Sequence, residues 1–419
     1  MSAKSGPLVG MRVLDLAHVM AGPTCARMLA DMGADVVKIE RSGGGDDTRR
    51  MLPPDIAGEA AAFMMMNRNK RGVVLDLKKP AARDVLKRLV ATADVLIENY
   101  RHDTLTKLGL GYEELRKVNP GLIYCAISGF GRTGPLAAQG GYDLIAQGLS
   151  GLMAITGEEA GRPPVKVGSP ACDITAGILG AMGVCAAYAH KLKTGEGQMV
   201  DTSLFEAGIT LTYWHSAIAL AGGVSPGPMG SAHPLNAPYQ AFATKDGWIN
   251  VGAGNDAMYR RLCALLGLPE LAQDPRFLTG RDRMLNLKAL IAALAPRFQE
   301  RTTAEWLLDL ERLGIPSGPV LAIEQMLRHP QTLARDMVPT IAHPRTGPVK
   351  TIGLPVKFSA TPGAVLDPAP VFGEHTREVL SEAGYSAAEI AALLDARAAC
   401  DPAPEGERDG TMRQETPPR

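Results

Sequence analysis

Met11-Arg12-Val13-Leu14-Asp15-Leu16, then Ala21-Gly22-Pro23, then Asp35-Val36-Val37-Lys38-Ile39-Glu40 follow one another near the start of the chain, and their order decides the fold class. The first run is a short apolar strand, the second a turn into a helix through Cys25 to Met32, and the third another apolar strand. Strand, helix and strand in this order make a βαβ unit, right-handed by default and built on a parallel sheet. Asp94-Val95-Leu96-Ile97-Glu98 and Gly121-Leu122-Ile123-Tyr124-Cys125-Ala126-Ile127 add buried strands, each preceded by a helix-like segment, Ala81 to Thr92 and Tyr112 to Val118. The expected architecture is α/β, with a Rossmann-like, doubly wound parallel sheet.

The connection after Glu40, Arg41-Ser42-Gly43-Gly44-Gly45-Asp46-Asp47-Thr48-Arg49-Arg50, is a glycine-rich loop at the carboxyl end of a strand, the edge where ligands bind in such sheets. Glu40 closes the second strand as a ribose-binding acid would. The first turn, however, reads His18-Val19-Met20-Ala21-Gly22-Pro23 and lacks the G-x-G-x-x-G that lets a pyrophosphate approach the backbone. A nucleotide redox cofactor is therefore not expected. H-E-x-x-H, G-x-S-x-G and P-loop patterns are absent as well.

Further along, Met199-Val200-Asp201-Thr202-Ser203 reads as a strand leading into a helix from Leu204 to Ala219. The Gly- and Pro-dense stretch 222–231 follows as a linker. Ala241 to Val251 is a hairpin with an Asp246-Gly247 turn. Helical segments then run from Asp256 to Leu266, Met284 to Gln299 and Thr303 to Leu313. The expected division is a large domain over 1–225 and a smaller α+β domain over 226–330. From 331 to 400 the chain is first proline-punctuated and extended, then helical from Gly373 and again from Ser386 to Ala399; 401–419 is a polar, disordered tail.

Composition narrows the function classes. At 419 residues two domains are expected. Lys plus Arg and Asp plus Glu both number 44, so no global basic field attracts nucleic acid or an anionic membrane. Six scattered cysteines without a C-x-x-C pair point to reduced thiols in a cytoplasmic protein and to no metal site. The first residues lack an apolar signal region, and no run of 18 uninterrupted apolar residues occurs, so neither secretion nor membrane spanning is expected.

Asp173, in Val167-Gly168-Ser169-Pro170-Ala171-Cys172-Asp173-Ile174-Thr175-Ala176-Gly177, stands before a long helix of small residues closed by Lys191, Lys193 and Gly195. Two readings stand. The carboxylate is an N-cap accepting from the helix backbone, or it is partly desolvated beside orphan N–H donors and forms a covalent acyl intermediate. Basic and amide side chains at the loop edges, Arg41, Arg49, Arg50, Asn69, Lys70, Arg71, Lys78, Asn99, Arg101 and Lys107, read singly as solvated surface groups. Together they suggest an extended polyanion such as a nucleotide phosphate chain.

The segments Leu14 to Pro23, Gly33 to Arg41, Asn67-Arg68-Asn69-Lys70-Arg71, Glu98-Asn99-Tyr100, Gly129 to Pro135, Gly141-Tyr142-Asp143 and Thr194 to Gln198 resemble, in the same order, those of the class III coenzyme A transferases. Gly45 to Arg49, Ser150 to Met153 and Pro238 to Phe242 are similar to the branch that uses succinyl-CoA and dicarboxylates such as glutarate, itaconate or malate. The resemblance implies a CoA-transferase, acyl-CoA and carboxylate substrates, and an interlocked homodimer whose large domain is built from both chain ends, with 331–370 as the return path. It implies Asp173 as the nucleophile, acting through aspartyl anhydride and aspartyl-CoA thioester intermediates. Met20 and Ala21 match backbone positions lining CoA, Arg41 and Lys107 its phosphates, Leu75 and Lys78 its adenine side, and Asn99 with Tyr100 its pantetheine arm. Lys107 keeps the charge of the Arg found in some relatives but not its bidentate fork. Tyr142 is counted with the CoA-binding positions. It stands where the related 2-methylacyl-CoA racemases carry a histidine base, and a phenol with pKa near 10 is a poor base at neutral pH. A racemase or isomerase and a non-catalytic CoA-binding protein are the alternatives. His233, after the glycine-rich run, is a candidate substrate-lining residue. Donor and acceptor acids stay open.

Overall fold

The computed structural model describes residues 4–402; from residue 403 the expected disordered tail lies outside the described residues. The chain divides into two compact units, one comprising residues 4–150, 168–211 and 330–402 of the described chain, the other Gly151–Val167 and Thr212–His329.

In the first unit six parallel strands form the sheet: β1 (Arg12–Asp15), β2 (Asp35–Glu40), β3 (Lys70–Leu75), β4 (Val95–Glu98), β5 (Ile123–Ser128) and β6 (Met199–Ser203), side by side in the order β3-β2-β1-β4-β5-β6. The chain starts at the centre, winds out to one side, returns, and winds out to the other, which is the doubly wound α/β fold with its switch point between β1 and β4. Val13, Val36, Val95, Leu96, Ile97 and Cys125 are buried, as expected of central strands covered on both faces. Asp15, Glu40 and Glu98, the last residues of β1, β2 and β4, are also buried.

The C-terminal segment comes back onto this sheet. Asn69, in the left-handed region at φ 59°, accepts at Oδ1 from the backbone N of Leu366 and Asp367, both at 2.9 Å. Ala399–Cys400 pairs antiparallel with Leu75 and Val74 at the sheet edge. The helix expected from Ser386 to Ala399 therefore ends earlier, at Asp395, because Arg397 turns left-handed at φ 53° and frees the chain to pair. The helix expected over Leu204 to Ala219 is two, Leu204–Thr210 and Tyr213–Gly222, broken where the chain leaves the first unit. The stretch after Pro330 is not wholly extended: Pro330–Ala334 is helical, and Thr340–His343 pairs with Gly347–Lys350 as a hairpin.

Three helices matter for the site: α1 (Ala21–Asp31), α2 (Asp143–Leu149) and α3 (Ala171–Thr194). Among the described residues α3 alone is long and apolar enough to cross a membrane. It instead packs on α1, β5 and β6 and carries an acid in its first turn. Its glycines permit this packing: a Cβ on Gly177 would lie 2.5 Å from Ala21 O, and one on Gly180 would lie 2.8 Å from Ile127 Cδ1.

The second unit holds an antiparallel sheet of β7 (Tyr239–Ala243), β8 (Trp248–Gly252) and β9 (Ser317–Pro319), with β8 in the middle, and the helices α4 (Asp256–Leu265), α5 (Leu287–Phe298) and α6 (Thr303–Arg312). The hairpin turns at Asp246-Gly247, and Asp246 also accepts from Thr303 N at 2.7 Å. Phe242 stacks on Phe298 at 4.4 Å in its core. The helix expected over Met284 to Gln299 is interrupted at Asn286, which ends the preceding turn Gly280–Leu285.

Because a Cβ on Gly177 would meet both the Ala21 carbonyl and the buried, β-branched Thr24 side chain, neither of which is free to move aside, Gly177→Val should lower the urea midpoint of the protein by the equivalent of about 2–3 kcal/mol. Gly227→Ala, where an added Cβ meets nothing within 4 Å, should leave it in place.

Candidate active site

The loops that follow β1 and β4 meet at the switch point. His18 N donates to Asn99 Oδ1 at 2.8 Å, and Asn99 Nδ2 donates back to His18 O at 2.7 Å. Each loop is also held by the acid that closes its strand. Asp15 accepts from Ala17 N at 3.0 Å, and Glu98 accepts from Tyr100 N at 2.8 Å. The Tyr100 hydroxyl and His18 Nε2 are 3.0 Å apart. Burial pushes Tyr100 up to about 12, while burial and then Lys38 lower His18. Both rings are therefore uncharged at neutral pH. Met20 precedes α1, and its carbonyl takes the Thr24 amide at 2.8 Å.

Asp173 is the third residue of α3 and not its cap. The capping acceptor comes from another element: Asp143, first residue of α2, takes Cys172 N at 2.8 Å and Asp173 N at 3.3 Å on one oxygen. Its other oxygen takes Gln147 Nε2 at 2.6 Å. Ala171 N bonds Ser169 O and Ile174 N bonds Pro170 O, so the orphan donors expected beside Asp173 are all engaged. The N-cap reading of Asp173 is thus corrected, and so are the orphan donors of the other reading: Asp143 performs the cap by taking two of the amides, and backbone carbonyls take the other two.

The Asp173 side chain has no hydrogen bond among the described residues, and neither oxygen is sealed from solvent. Burial, and then the negative charge of Asp143, raise it to about 7. Asp173 lies one helical turn before Gly177 on the same face, and Gly177 rests on Ala21 O. The carboxylate therefore stands beside the start of α1. The neighbouring Cys172 thiol is pushed up to about 12 by burial and by both acids, which leaves it unreactive.

The other candidate positions lie in different settings. Arg41, Lys78 and Lys107 are exposed, Arg41 paired with Asp47; Tyr142 is exposed directly before α2. Leu75 is buried in the core beside Ala399. Four residues grouped with the anion-binding side chains are committed to the fold: Arg49 grips Glu40 with two bonds at 2.7 Å, Lys70 is buried on Asp15 at 2.8 Å, Arg71 joins Asp35, Glu378 and Glu382, and Asn69 holds the return segment. His233 lies in the second unit, edge-on to Trp214 and Tyr239, its Nδ1 accepting from Leu235 N at 3.0 Å. Among the described residues no group of three His, Cys, Asp or Glu side chains is arranged to hold a metal ion. Asp143, Gln147 and Asp46 had no distinguishing signal in the sequence beyond a place in a motif or a loop.

Sheet and loops together define a doubly wound α/β protein whose loops after β1 and β4 meet at the topological switch point, the place where such folds bind ligands. Residues 8–376 match the model of CoA-transferase family III. Succinyl-CoA:glutarate CoA-transferase of Mus musculus is 39% identical over 376 residues, covering 90% of this chain and 86% of that protein. Succinate–glutarate CoA-transferase of Agrobacterium fabrum is 41% identical over 391 residues, covering 91% and 97%. The crystal structure of a CAIB/BAIF family protein from Brucella suis superposes with a TM-score of 0.80 at 38% identity, over 91% of this chain and 100% of that one. The chain belongs to CoA-transferase family III, and it is a CoA-transferase that uses CoA thioesters as substrates.

The raised Asp173 carries a sign for stability. Its folded pKa lies above the unfolded value, so its burial opposes folding once it ionises, and stability is lost as pH rises from about 4 through about 7. Asp173→Asn should therefore be more stable than the parent at pH 8, on the order of 2 kcal/mol, with the gain vanishing towards pH 4 in parallel urea titrations.

Proposed function

We propose that this enzyme moves CoA from succinyl-CoA to a small dicarboxylic acid with Asp173 as the covalent nucleophile. The observation that carries the reading is the Asp173 carboxylate itself, raised to about 7 and without a hydrogen bond among the described residues, one turn from the Gly177–Ala21 contact. An Asp173 oxygen attacks the thioester carbonyl, the carbon–sulfur bond breaks, and CoA leaves as thiolate from a mixed anhydride. The thiolate attacks the aspartyl carbonyl, which releases the donor acid as its carboxylate and leaves an aspartyl-CoA thioester. The acceptor carboxylate attacks that thioester and frees the thiolate again. The thiolate then takes the acceptor acyl group from the second anhydride, and Asp173 returns as carboxylate. No water or proton is consumed, and the thioester energy is kept.

The surroundings of Asp173 support these steps. Burial and the charge of Asp143 penalise the free carboxylate, and this penalty disappears when the side chain becomes an uncharged anhydride or thioester. A carboxylate raised towards neutrality is also a stronger nucleophile than an ordinary aspartate. In this reading Met20, Ala21, Asn99 and Tyr100 line the acyl-CoA, and Arg41, Lys78 and Lys107 meet its phosphates and adenine. The dicarboxylate class is supported by the two glutarate-using relatives, and differences of a methyl or hydroxyl among such acids are decided by pocket shape. Leu144, Ile145 and Leu149 on α2 and Ile178 and Met182 on α3 are exposed apolar side chains on two helices that pack together. We assign them to a homodimer interface, to be checked by sedimentation velocity: a concentration-independent monomer would exclude it.

Asp173→Ala should lose all transfer from succinyl-CoA across a panel of dicarboxylates while still binding CoA, and the parent enzyme should yield a hydroxylamine-sensitive adduct on Asp173 after incubation with donor alone. Full activity in Asp173→Ala sinks the mechanism; deuterium wash-in at the α-carbon of a 2-methylacyl-CoA without acceptor would favour an isomerase instead. For the parent, kcat/KM for donor should rise with pH to a plateau above about 7. Asp143→Asn, which removes the repelling charge but keeps an acceptor for the helix amides, should move that midpoint to lower pH.

A further inference from the structure

The glycine-rich loop after β2 turns its central acid inward. A Cβ on Gly45 (φ +67°) would lie 2.4 Å from Glu40 Oε2, so only glycine lets the chain pass there and bring Asp46 under the loop that follows β1. Asp46 is fully buried. Its Oδ1 accepts from Val19 N at 3.1 Å, Thr48 N at 3.0 Å and Thr48 Oγ1 at 2.8 Å. Its Oδ2 accepts from Lys38 Nζ at 2.8 Å and from Val19 N at 3.3 Å. Lys38 is equally buried and also donates to Ala17 O. It stands 4.0 Å from Asp15, whose carboxylate takes the Ala17 amide and Lys70. Three backbone groups of residues 17 to 19 are thus tied to one buried array of alternating charge.

These ties hold a backbone that would otherwise relax. Val19 sits at φ 67°, in the left-handed region where a β-branched residue is an outlier. A conformation of this kind persists only where surrounding bonds over-determine it, and such positions cluster at ligand clamps. Val19 immediately precedes Met20 and Ala21, so its dihedral sets the direction of the peptide groups that open α1. The Val19 side chain is half-buried, and its amide is fixed by the bonds to Asp46.

We propose that Asp46 is a positioning residue for the transfer reaction: through Val19 N and its pairing with Lys38 it holds the 17–21 backbone in the strained form that receives acyl-CoA, without touching the substrate. The proposal rests on the reading that Met20 and Ala21 line CoA.

The test uses the full chain. Asp46→Asn keeps the size and one acceptor oxygen but removes the charge facing Lys38. KM for succinyl-CoA should rise about tenfold or more, with kcat within about twofold. Adding Val19→Gly, which reaches positive φ without a steric penalty, should recover part of the lost affinity, an effect that a purely structural role for Asp46 does not produce. Thr48→Val removes one donor to the same carboxylate and should raise KM in the same direction but less; it replaces Asp46→Asn if that variant does not fold. An unchanged KM in the folded variant, or no recovery on adding Val19→Gly, overturns the assignment. Hydrogen–deuterium exchange of the segment 17–24 in the parent, with and without CoA, separates the two readings. Absence of protection there overturns the CoA-lining role of the loop and the proposal with it, whereas protection together with an unaffected KM overturns the role of Asp46 alone.

Discussion

The close approach of α1 and α3 is the constraint on which the rest of the first unit depends. Gly177 lets the two helices meet at backbone distance, with Ala21 O where a side chain would otherwise be. That meeting sets the separation between Asp173, one turn up α3, and the Met20–Ala21 peptides at the head of α1. A larger residue at this point would push the start of α3, and Asp173 with it, away from the loop that opens α1.

The acids around the switch point divide into two kinds by their partners. Asp15, Glu40 and Glu98 end three neighbouring strands, are buried, and each accepts a backbone N–H from the loop that follows it: Ala17, Asp46 and Tyr100. Cations compensate them, Lys70 on Asp15, Arg49 on Glu40 and Arg132 on Glu98. In Lys38 burial works against the charge, but Asp15, Asp46 and Glu40 outweigh it and hold the ammonium protonated. Asp173 is the contrasting case. No cation or N–H faces its carboxylate among the described residues, and its nearest charged influence is another acid, Asp143. A paired buried carboxylate is inert scaffold, while an unpaired one raised towards neutrality is poised for a change of charge state. That difference in partnering, more than position in the chain, sets Asp173 apart from the other acids.

Much of the first unit was legible in the chain as written. Buried parallel strands read as continuous apolar runs, and helices between them leave few topologies open, so β1, β2, β4, β5 and β6 and the doubly wound class were open to inspection, whereas β3, which opens on Lys70 and Arg71, reads as a charged loop edge and not as a strand. Breaks were less legible. The ends of the helices near 211, 286 and 395 depend on where the chain must leave one packing environment for another, as when Ala399 pairs with Leu75 at the sheet edge, and local propensity carries no record of such partners.

The candidate site shows the same division at the level of single side chains. The order of the motifs was sufficient to give the family to which the chain belongs, and that resemblance made Asp173, Met20, Ala21, Asn99 and Tyr100 the candidates. Residue types and their order did not reveal that Lys70, Arg71 and Asn69 face inward to acids and return-segment amides, that the helix is capped by Asp143 from thirty positions away, or that Asp46 reaches across to Val19. A charge in a sequence looks the same whether it ends in water or on a partner. Which of the two it meets is settled when distant segments are brought within about 3 Å of one another, and that distance is a property of the folded chain.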